Sequence, residues 1–393
     1  MNELSYYYTP TKVVFGKAAE HQVGTELEKL GVKKVLLHYG GNSAKKSGLL
    51  DRVKDSLSEN GIQSVELGGV VPNPRLSLVY EGIELVKKEE LDFILAVGGG
   101  SVIDSAKAIG YGVANEGDVW ELYQSKRRAT ACLPIGTVLT IAAAGSEMST
   151  GSVITKEEGW EKRAYDDDLG RPAVSFLNPE LLKTLPWYQT AAGSADILMH
   201  TMERYFNQST NMALTDGLSE TILRTVMEQT MIVKEDPQNY EALAELMWAS
   251  SISHNGLTGF GTDGGDWATH MLEHELSGIF DVTHGAGLAA IWGSWARYVY
   301  QNRLDRFVKF AVNVMGVTPE QTDDETAIAG IEKMEAYYRS IDMPVSVSEM
   351  DVHLTDEQIT EMADKCTEAA GGTIGVVKPL GRDDMIEIYQ AAR

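Results

Sequence analysis

The chain has 393 residues, 43% of them hydrophobic, and a formal net charge of −23. This length favours two domains, each with a sizeable core. The negative charge argues against binding to nucleic acid or to an anionic membrane surface. It does not argue against a phosphorylated cofactor, because backbone amides can bind phosphate locally.

The cysteine content and the N-terminus indicate the cellular compartment. Cys132 and Cys366 are the only cysteines, and neither lies in a CxxC-type spacing. This argues against a disulfide scaffold or a thiolate metal site and fits a reducing environment. The first ten residues lack the basic and apolar regions of a signal peptide, and no apolar run approaches the roughly 18 residues that span a bilayer. We therefore expect a soluble, cytoplasmic protein.

The first half of the chain alternates strand-like and helix-like segments. Strands are predicted at 34–39, 62–67, 93–97, 131–135 and 173–177. Helices are predicted at 43–60, 76–88 and 101–114. Strands that alternate with helices indicate a mainly parallel sheet covered on both faces.

The character of the sequence changes near Leu185 and Pro186, after which helical periodicity dominates. Helices are predicted at about 187–207, 212–234, 238–256, 263–278, 285–300, 303–315, 323–341, 355–370 and 381–391. We therefore predict an α/β domain over residues 1–185 and an all-α domain over residues 186–393.

Histidines and one aspartate have the spacing of a metal site. His270 and His274 are four residues apart, as are Asp196 and His200, so each pair shares one helix face. His284 follows from a predicted turn. Two such pairs facing each other would offer only nitrogen and oxygen ligands to a divalent metal. The alternative is that each is an ordinary half-buried pair without a metal.

A glycine-rich turn follows the strand at 93–97. Gly98-Gly-Gly-Ser101 opens a helix, where free amides and the helix dipole favour a phosphate group. The turn does not match the GxGxxG fingerprint, and a turn without a ligand is the alternative. Asp104 and Lys107, in the first helical turns, are interpreted as capping and surface charges.

Taken together, these motifs resemble the iron-dependent alcohol dehydrogenase family, in its butanol-dehydrogenase-like branch. The resemblance covers nearly the whole chain and rests on GGVVPNP from Gly68, GGGSVIDSAKAIG from Gly98, GSE at Gly145, ADILMH ending at His200, and the spacing of His270, His274 and His284. It implies an N-terminal dinucleotide-binding α/β domain followed by a helical metal-binding domain. The metal pocket should then face the cofactor edge of the sheet domain.

The resemblance also implies roles for individual residues. Spacing alone pairs His270 with His274, whereas the family pattern gives the metal ligands as Asp196, His200, His270 and His284. It places His274 beside the nicotinamide as a candidate for proton transfer. The expected cofactor contacts are Gly40, Gly41, Ser43, Asn73, Gly99, Gly100, Ser101, Asp104, Thr137, Thr140 and Lys162.

The implied reaction is metal-assisted hydride transfer between a nicotinamide cofactor and an alcohol or aldehyde. Fe²⁺ is the expected physiological metal, with Zn²⁺, Ni²⁺, Co²⁺ and Mn²⁺ also compatible with the ligands. The position where NAD-specific relatives carry an acid resembles Gly40, which leaves room for a 2′-phosphate. We therefore expect NADP, with NAD as the alternative.

The residues near the metal motifs are small or apolar and favour short, uncharged alcohols and aldehydes such as butanol and butyraldehyde. These residues are Leu257, Thr258, Gly259, Phe260, Gly261, Trp267, Ile279 and Phe280. The alternatives are a polyol dehydrogenase, a sugar-phosphate cyclase of the same superfamily, or a non-catalytic metal-binding protein. A strand pattern at 11–15, preceded by Tyr6-Tyr-Tyr8, favours a homodimer, although such a strand could equally edge its own sheet.

Overall fold

A computed structural model describes residues 4–393 of the chain. It separates into two compact units. One unit is Tyr8–Leu185, and the other is Pro186–Arg393 together with the described N-terminal residues up to Tyr7. These N-terminal residues were predicted to belong to the first domain. Tyr7 instead packs edge-on against the ring of Phe260, with 6.1 Å between ring centroids, which accounts for its place in the helical unit.

The first unit is built on a parallel sheet. The strands in this unit are β1 Lys12–Phe15, β2 Lys34–Tyr39, β3 Gln63–Leu67, β4 Phe93–Gly98, β5 Ile135–Leu139, β6 Gly151–Lys156, β7 Glu161–Asp166 and β8 Val174–Leu177. Six of them form one sheet in the order β1-β8-β5-β4-β2-β3, and all of its pairings are parallel. Strands β6 and β7 form a separate antiparallel pair.

Six helices accompany these strands in the described part of the unit. They are α1 Val23–Lys29, α2 Ser43–Lys46, α3 Leu49–Glu59, α4 Leu76–Glu89, α5 Gly100–Ala114 and α6 Trp120–Tyr123. Every residue of β4 is buried, as expected for a strand covered on both faces. Helix α3 buries Leu50, Val53 and Leu57, which share one face and join the hydrophobic core of the sheet.

Three features of this unit differ from the prediction. The helix predicted at 43–60 is divided into α2 and α3 at Gly48, whose φ of +70° is left-handed. The strand predicted at 131–135 begins only at Ile135, after Pro134, which has no N–H group to donate to a sheet. The β6–β7 hairpin was not predicted at all. Its second strand, Glu161–Asp166, is rich in charged residues and half-exposed, so it lacks the apolar run by which the buried strands were predicted.

The second unit is helical over the described residues, as predicted. Its helices are α7 Trp187–Tyr205, α8 Ala213–Glu235, α9 Tyr240–His254, α10 Ala268–Phe280, α11 His284–Val299, α12 Leu304–Asn313, α13 Asp323–Ser340, α14 Asp356–Ala370 and α15 Arg382–Ala392. Capping boxes begin α13 at Thr322 and α14 at Thr355. None of the helices in residues 4–393 is long and apolar enough to cross a membrane.

The largest boundary error in this unit concerns α10, which was predicted to begin at residue 263 and begins at Ala268. Gly264, Gly265 and Trp267 have φ angles of +105°, +95° and +63°, so the backbone here is left-handed and cannot belong to a right-handed helix. Helix α10 therefore starts only two residues before His270.

Candidate metal and cofactor sites

Helix α7 carries three buried polar residues along one face. Asp196, His200 and Glu203 are spaced i, i+4 and i+7, so they follow one face of the helix. Each is at most 5% exposed. Buried polar side chains in such a row require partners, and the neighbouring helices supply them.

Helices α10 and α11 bring two imidazoles to this face. His270 is buried on α10, and His284 is the first residue of α11. The next residue, Gly285, approaches so closely that a Cβ atom there would collide with the backbone carbonyl of Ala192. Because Ala192 lies one helical turn before Asp196, this contact places His284 beside the Asp196 carboxylate.

Asp196, His270 and His284 form a compact group of donor atoms within 4.8 Å of one another. Oδ1 of Asp196 lies 4.0 Å from Nε2 of His270 and 3.9 Å from Nε2 of His284. Two metal–ligand bonds of about 2.1 Å each can separate their donor atoms by up to about 4.2 Å. Both distances from Asp196 therefore fall within the range for ligands to a single divalent ion.

His200 lies beside this group but not in it. Its Nδ1 is 2.9 Å from Oδ1 of Asp196 and 3.0 Å from the backbone oxygen of the same residue. The ring is thus turned toward its own helix, while its centroid lies 4.4 Å from that of His270. The four predicted ligands lie together, with three of them in ligand-like geometry.

Two buried glutamates orient the imidazoles. Oε1 of Glu203 accepts the backbone N–H of His270 at 3.0 Å and lies 3.1 Å from its Nδ1. Glu273 makes a short hydrogen bond with Nδ1 of His284. An ionised carboxylate can only accept a hydrogen bond. With both glutamates ionised, as beside a bound cation, each Nδ1 would carry the proton and each Nε2 would keep its lone pair.

The environment of His270 fits a cation. Its Nε2 is buried and has no hydrogen-bond partner among residues 4–393. Burial lowers the pKa of His270 well below its usual value, and burial raises the pKa of Glu203 well above its own. Both shifts express the cost of isolated charge in this pocket, which a divalent ion between Asp196 and the imidazoles would offset.

Glu203 and Glu273 were not predicted as site residues from the sequence. The signal for Glu203 was its place three residues after His200 on the same helix face. His254, which ends α9, was interpreted as a capping residue, but its ring centroid lies 4.2 Å from that of His200. Its Nδ1 is 3.0 Å from Nη2 of Arg204, whose guanidinium carbon lies 4.5 Å from the ring centroid of Trp267.

His274 is half-buried and lies next to the donor group. It forms a second set of mutually close donor atoms with Glu273 and His284. Its ring centroid is 5.7 Å from that of His284 and 6.4 Å from that of His270. His274 therefore lies beside the Asp196 group but outside it, and its place beside the nicotinamide stays a prediction.

The other predicted site is an edge of the parallel sheet. Gly40, Gly99 and Thr140 each follow the end of a parallel strand, β2, β4 and β5 respectively, so they lie at the same edge. The connection from β2 leads outward to β3, and the chain then returns to β4 on the other side of β2. Such a reversal is the usual place for a ligand in an open α/β sheet.

The glycine turn leads directly into a helix. Gly99 is the N-cap of α5, and Gly100 and Ser101 form its first turn. Gly98 lies so close to Val102 that a Cβ atom would collide with that side chain. Added Cβ atoms at Gly99 and Gly100 would lie 3.2 Å from Ile141 and Ala144, so the segment after β5 borders this turn. The geometry suits a phosphate at the helix start.

The remaining predicted cofactor residues occupy different surroundings. Gly41 and Ser43 are exposed after β2. Asn73 is buried in a left-handed conformation with a φ of +52°. Thr137 lies inside β5, fully buried, and its hydroxyl has no hydrogen-bond partner in the described part of the chain. Lys162 is buried on β7, apart from the main parallel sheet.

The interpretation of Lys107 as a surface charge was wrong. Its side chain is fully buried and donates hydrogen bonds to oxygens of Ser146, Ser149 and Gly151. Asp104 is also not simply a cap. Its Oδ1 accepts the Ser146 hydroxyl at 2.6 Å and its Oδ2 accepts the Val153 amide at 2.9 Å. A lysine in the second turn of an amphipathic helix normally faces solvent, so this burial could not be predicted from the sequence.

Comparison with known proteins identifies the family of the chain. Residues 10–179 match the family described as iron-containing alcohol dehydrogenase, and residues 190–393 match the C-terminal domain of the same family. The chain is 41% identical to an NADH-dependent butanol dehydrogenase A of Clostridium acetobutylicum, over 98% of this chain and 99% of that protein. It is 33% identical to the NADPH-dependent aldehyde reductase YqhD of Escherichia coli, over 98% of each chain.

A solved structure gives the same result for the fold. The NADH-dependent butanol dehydrogenase A of Thermotoga maritima superposes with a TM-score of 0.95 at 39% identity, covering 99% of this chain and 98% of that one. These matches show that the protein is an oxidoreductase of the alcohol dehydrogenase class. They do not support the cyclase or the non-catalytic alternative. The chain belongs to the iron-containing alcohol dehydrogenase family.

Proposed function

We propose that this enzyme uses a divalent metal and a nicotinamide cofactor to interconvert short, uncharged aldehydes and primary alcohols. The observation that carries the proposal is the Asp196, His270 and His284 group, in which buried glutamates fix both imidazoles with Nε2 toward the carboxylate. A buried histidine with a purely structural role normally has both ring nitrogens hydrogen-bonded. Nε2 of His270 has no such partner among the described residues.

Asp196, His270 and His284 would hold the metal, with His200 as the fourth ligand. The donor set of one carboxylate and imidazoles fits Fe²⁺, our proposed physiological metal, and also Zn²⁺, Ni²⁺, Co²⁺ or Mn²⁺. The bound ion would act as a Lewis acid on the substrate oxygen. Glu203 and Glu273 keep the ligand nitrogens oriented and raise their basicity.

His274 is proposed as the residue that moves a proton between the substrate oxygen and solvent. It is half-buried, so part of the ring is accessible to solvent. Its ring centroid lies 5.7 Å from that of His284. A bound nicotinamide would supply or accept the hydride at the substrate carbon, so no side chain would be needed as a nucleophile. The role of His274 is to supply or accept a proton as the oxygen changes between carbonyl and hydroxyl.

We propose NADPH as the preferred reduced cofactor, held by the glycine turn and by Thr140 at the carboxyl edge of the sheet. No acid follows β2 in Gly40-Gly-Asn-Ser43, and two of the next residues are Lys45 and Lys46. Room and positive charge at this point favour a 2′-phosphate. The name of the Clostridium relative indicates NADH and that of the Escherichia relative NADPH, so the residues after β2 carry this part of the proposal.

The proposed substrates are short alkyl aldehydes such as butyraldehyde, and the corresponding alcohols. Thr258, Phe260 and Trp267 lie near the metal group in sequence, and the Trp267 ring centroid is 5.2 Å from that of His270. The nearby Arg204 guanidinium donates to the His200 and Ser253 carbonyls, so it is already committed to the protein. An aromatic ring beside the group, with the nearby guanidinium already committed, suits uncharged chains over carboxylates or phosphates.

A substrate panel tests this proposal. Oxidation of NADPH by metal-loaded enzyme should rise in kcat/KM from acetaldehyde to butyraldehyde. Each added methylene contributes at most about 0.8 kcal/mol, or about fourfold. A sugar phosphate, a 2-hydroxy acid or a polyol preferred over butyraldehyde or butanol would overturn the substrate proposal.

We also propose a homodimer. Strand β1 is at one end of the sheet, bonded only on its β8 side within the described sheet order. Tyr6 and Tyr8 before it are 85% and 57% exposed. An open strand edge beside exposed aromatic rings is a surface that a second copy can pair with across a two-fold axis. Light scattering should give twice the 43.0 kDa chain mass, and a monomer would contradict the dimer.

A further inference from the structure

Lys107 is a buried cation whose Nζ group faces a single loop. It has five acceptor oxygens within 3.3 Å: the backbone oxygens of Ser146, Ser149 and Gly151 at 2.8, 3.0 and 2.7 Å, and the hydroxyls of the two serines at 3.0 and 3.3 Å. Burying a lysine costs free energy unless its charge is stabilised. If this helix–loop contact served stability alone, apolar side chains would provide it at a lower cost in free energy.

Asp104, one turn earlier on α5, holds the other end of the same loop. Its carboxylate accepts the Ser146 hydroxyl and the Val153 amide, and its backbone oxygen accepts the Ser152 hydroxyl at 2.8 Å. Ser146 therefore links the two charges, since its hydroxyl donates to Asp104 and accepts from Lys107. Burial lowers the pKa of Lys107 to about 8, and the nearby Asp104 carboxylate opposes this shift.

The loop held in this way continues from the segment that borders the glycine turn. The chain leaves β5 after Leu139 and passes Ile141 and Ala144, which lie against Gly99 and Gly100, before it reaches Ser146. Both ends of the arrangement are thus on α5. Its first turn would bind the phosphate, and its second turn fixes the loop that forms the wall beside that phosphate.

We propose that Lys107 is a positioning residue for the nicotinamide cofactor, acting by holding residues 140–151 in place against the glycine turn. This inference rests on the proposed function, because it assumes that the cofactor binds at that turn. In this proposal Lys107 does not contact the cofactor, because its ammonium group is hydrogen-bonded to oxygens of the loop. Its loss should weaken cofactor binding because the loop must then be ordered during binding.

The test is the dissociation constant of NADPH and of NADH, measured by titration of metal-loaded protein. Lys107→Met should raise both constants at least tenfold, leave kcat at saturating cofactor within about threefold, and leave Zn²⁺ affinity unchanged. Ser146→Ala is the milder variant, removing only the hydroxyl shared by Lys107 and Asp104, and it should raise the constants about threefold. Lys88→Met and Ser58→Ala, exposed positions in the same unit, are the matched controls and should behave as wild type.

Unchanged cofactor affinity in a folded Lys107→Met protein would overturn the inference. If that variant does not fold, unchanged affinity in Ser146→Ala overturns it. Parallel loss of Zn²⁺ affinity or of kcat would also overturn it, because that pattern indicates general destabilisation. The proposed function fails separately: wild-type protein would then neither bind a nicotinamide cofactor nor oxidise it with an aldehyde.

Discussion

The two compact units hold their proposed functional groups in opposite ways. In the helical unit the groups are side-chain atoms, on Asp196, His270 and His284, and each imidazole is oriented by a buried carboxylate. In the sheet unit they are mainly backbone atoms of a glycine turn, and a buried lysine and aspartate order the loop beside it. A metal requires fixed donor atoms, whereas a phosphate requires free amides and space.

The difference appears also in two buried histidines. His38 in β2 uses both ring nitrogens, Nδ1 with the Leu67 carbonyl and Nε2 with the Ser105 hydroxyl, each at 2.9 Å. His270 uses only Nδ1, and its Nε2 has no hydrogen-bond partner among the described residues. A buried histidine with both nitrogens satisfied is structural, whereas one with a single free nitrogen is a ligand candidate. Burial alone does not separate these two roles.

The largest expected effect is at the carboxylate of the metal group. Asp196→Ala removes the one anionic atom that both imidazoles face, so we expect loss of bound metal and at least a thousandfold loss of turnover. Metal content and NADPH oxidation rate are the measurements, with the exposed Asp383→Ala as control. Turnover retained in Asp196→Ala would contradict the proposal that side chains of the helical unit hold a catalytic metal.

The structural histidine gives a pH-dependent effect on stability. Burial lowers the pKa of His38 to about 4, whereas an unfolded histidine titrates near 6.5. The unfolded state therefore binds the proton more readily, so the contribution of His38 is fully present above pH 6.5 and is lost as the pH falls toward 4. The loss amounts to about 3 to 4 kcal/mol, roughly three-hundredfold in the folding equilibrium.

Urea unfolding of wild type and His38→Gln at several pH values measures this contribution. The free energy of unfolding should fall more steeply between pH 6.5 and 4 in wild type than in the variant. Parallel curves would show that His38 does not titrate as its burial implies.

An intermediate effect is expected at the carboxylates that orient the ligands. Glu203→Gln keeps an oxygen that can accept from His270 but removes the negative charge that makes the imidazole more basic. The metal dissociation constant should rise about 10- to 100-fold, and kcat at saturating metal should change less. The exposed Glu332→Gln on α13 is the control. Unchanged metal affinity would mean that Glu203 has only a packing role.

The smallest effect is expected where the backbone is proposed to recognise the cofactor. A Cβ atom at Gly40 would lie 3.3 Å from the Val70 carbonyl, a tight fit that small adjustments can accommodate. Gly40→Asp adds a carboxylate that accepts from ribose hydroxyls and repels a 2′-phosphate, so preference should shift about tenfold toward NADH. The ratio of kcat/KM values measures this, with Gly217→Asp on α8 as control. An unchanged ratio would mean that the adenosine ribose does not bind beside Gly40.

Much of the fold could be predicted from the sequence, because apolar spacing directly reflects burial on one helix face or in a covered strand. All of the helices predicted after Pro186 have counterparts in the described structure. The β6–β7 hairpin was missed because its second strand is charged and half-exposed, so periodicity did not separate it from a loop. The start of β5 was misplaced because the apolar residues before Pro134 belong to no strand.

The candidate sites were predictable only in part. Spacing identified the histidines and Asp196, but choosing His284 over His274 required the family resemblance. Glu203 and Lys107 were missed because their roles depend on tertiary contacts. Glu203 meets His270, 67 residues away, and Lys107 meets a loop 39 to 44 residues away. Helical spacing places Glu203 on the same face as Asp196 and His200, but a single sequence does not show that its carboxylate meets His270.

The most direct test of the central claim is the metal dependence of aldehyde reduction. Protein stripped with a chelator is mixed with NADPH and butyraldehyde, and the absorbance of the reduced nicotinamide is followed while Fe²⁺ is added. We predict no turnover before addition, activity that saturates at one ion per chain, and no recovery in Asp196→Ala. Equal turnover in metal-stripped and metal-loaded wild-type protein would contradict the assignment of Asp196, His270 and His284 as a catalytic metal centre.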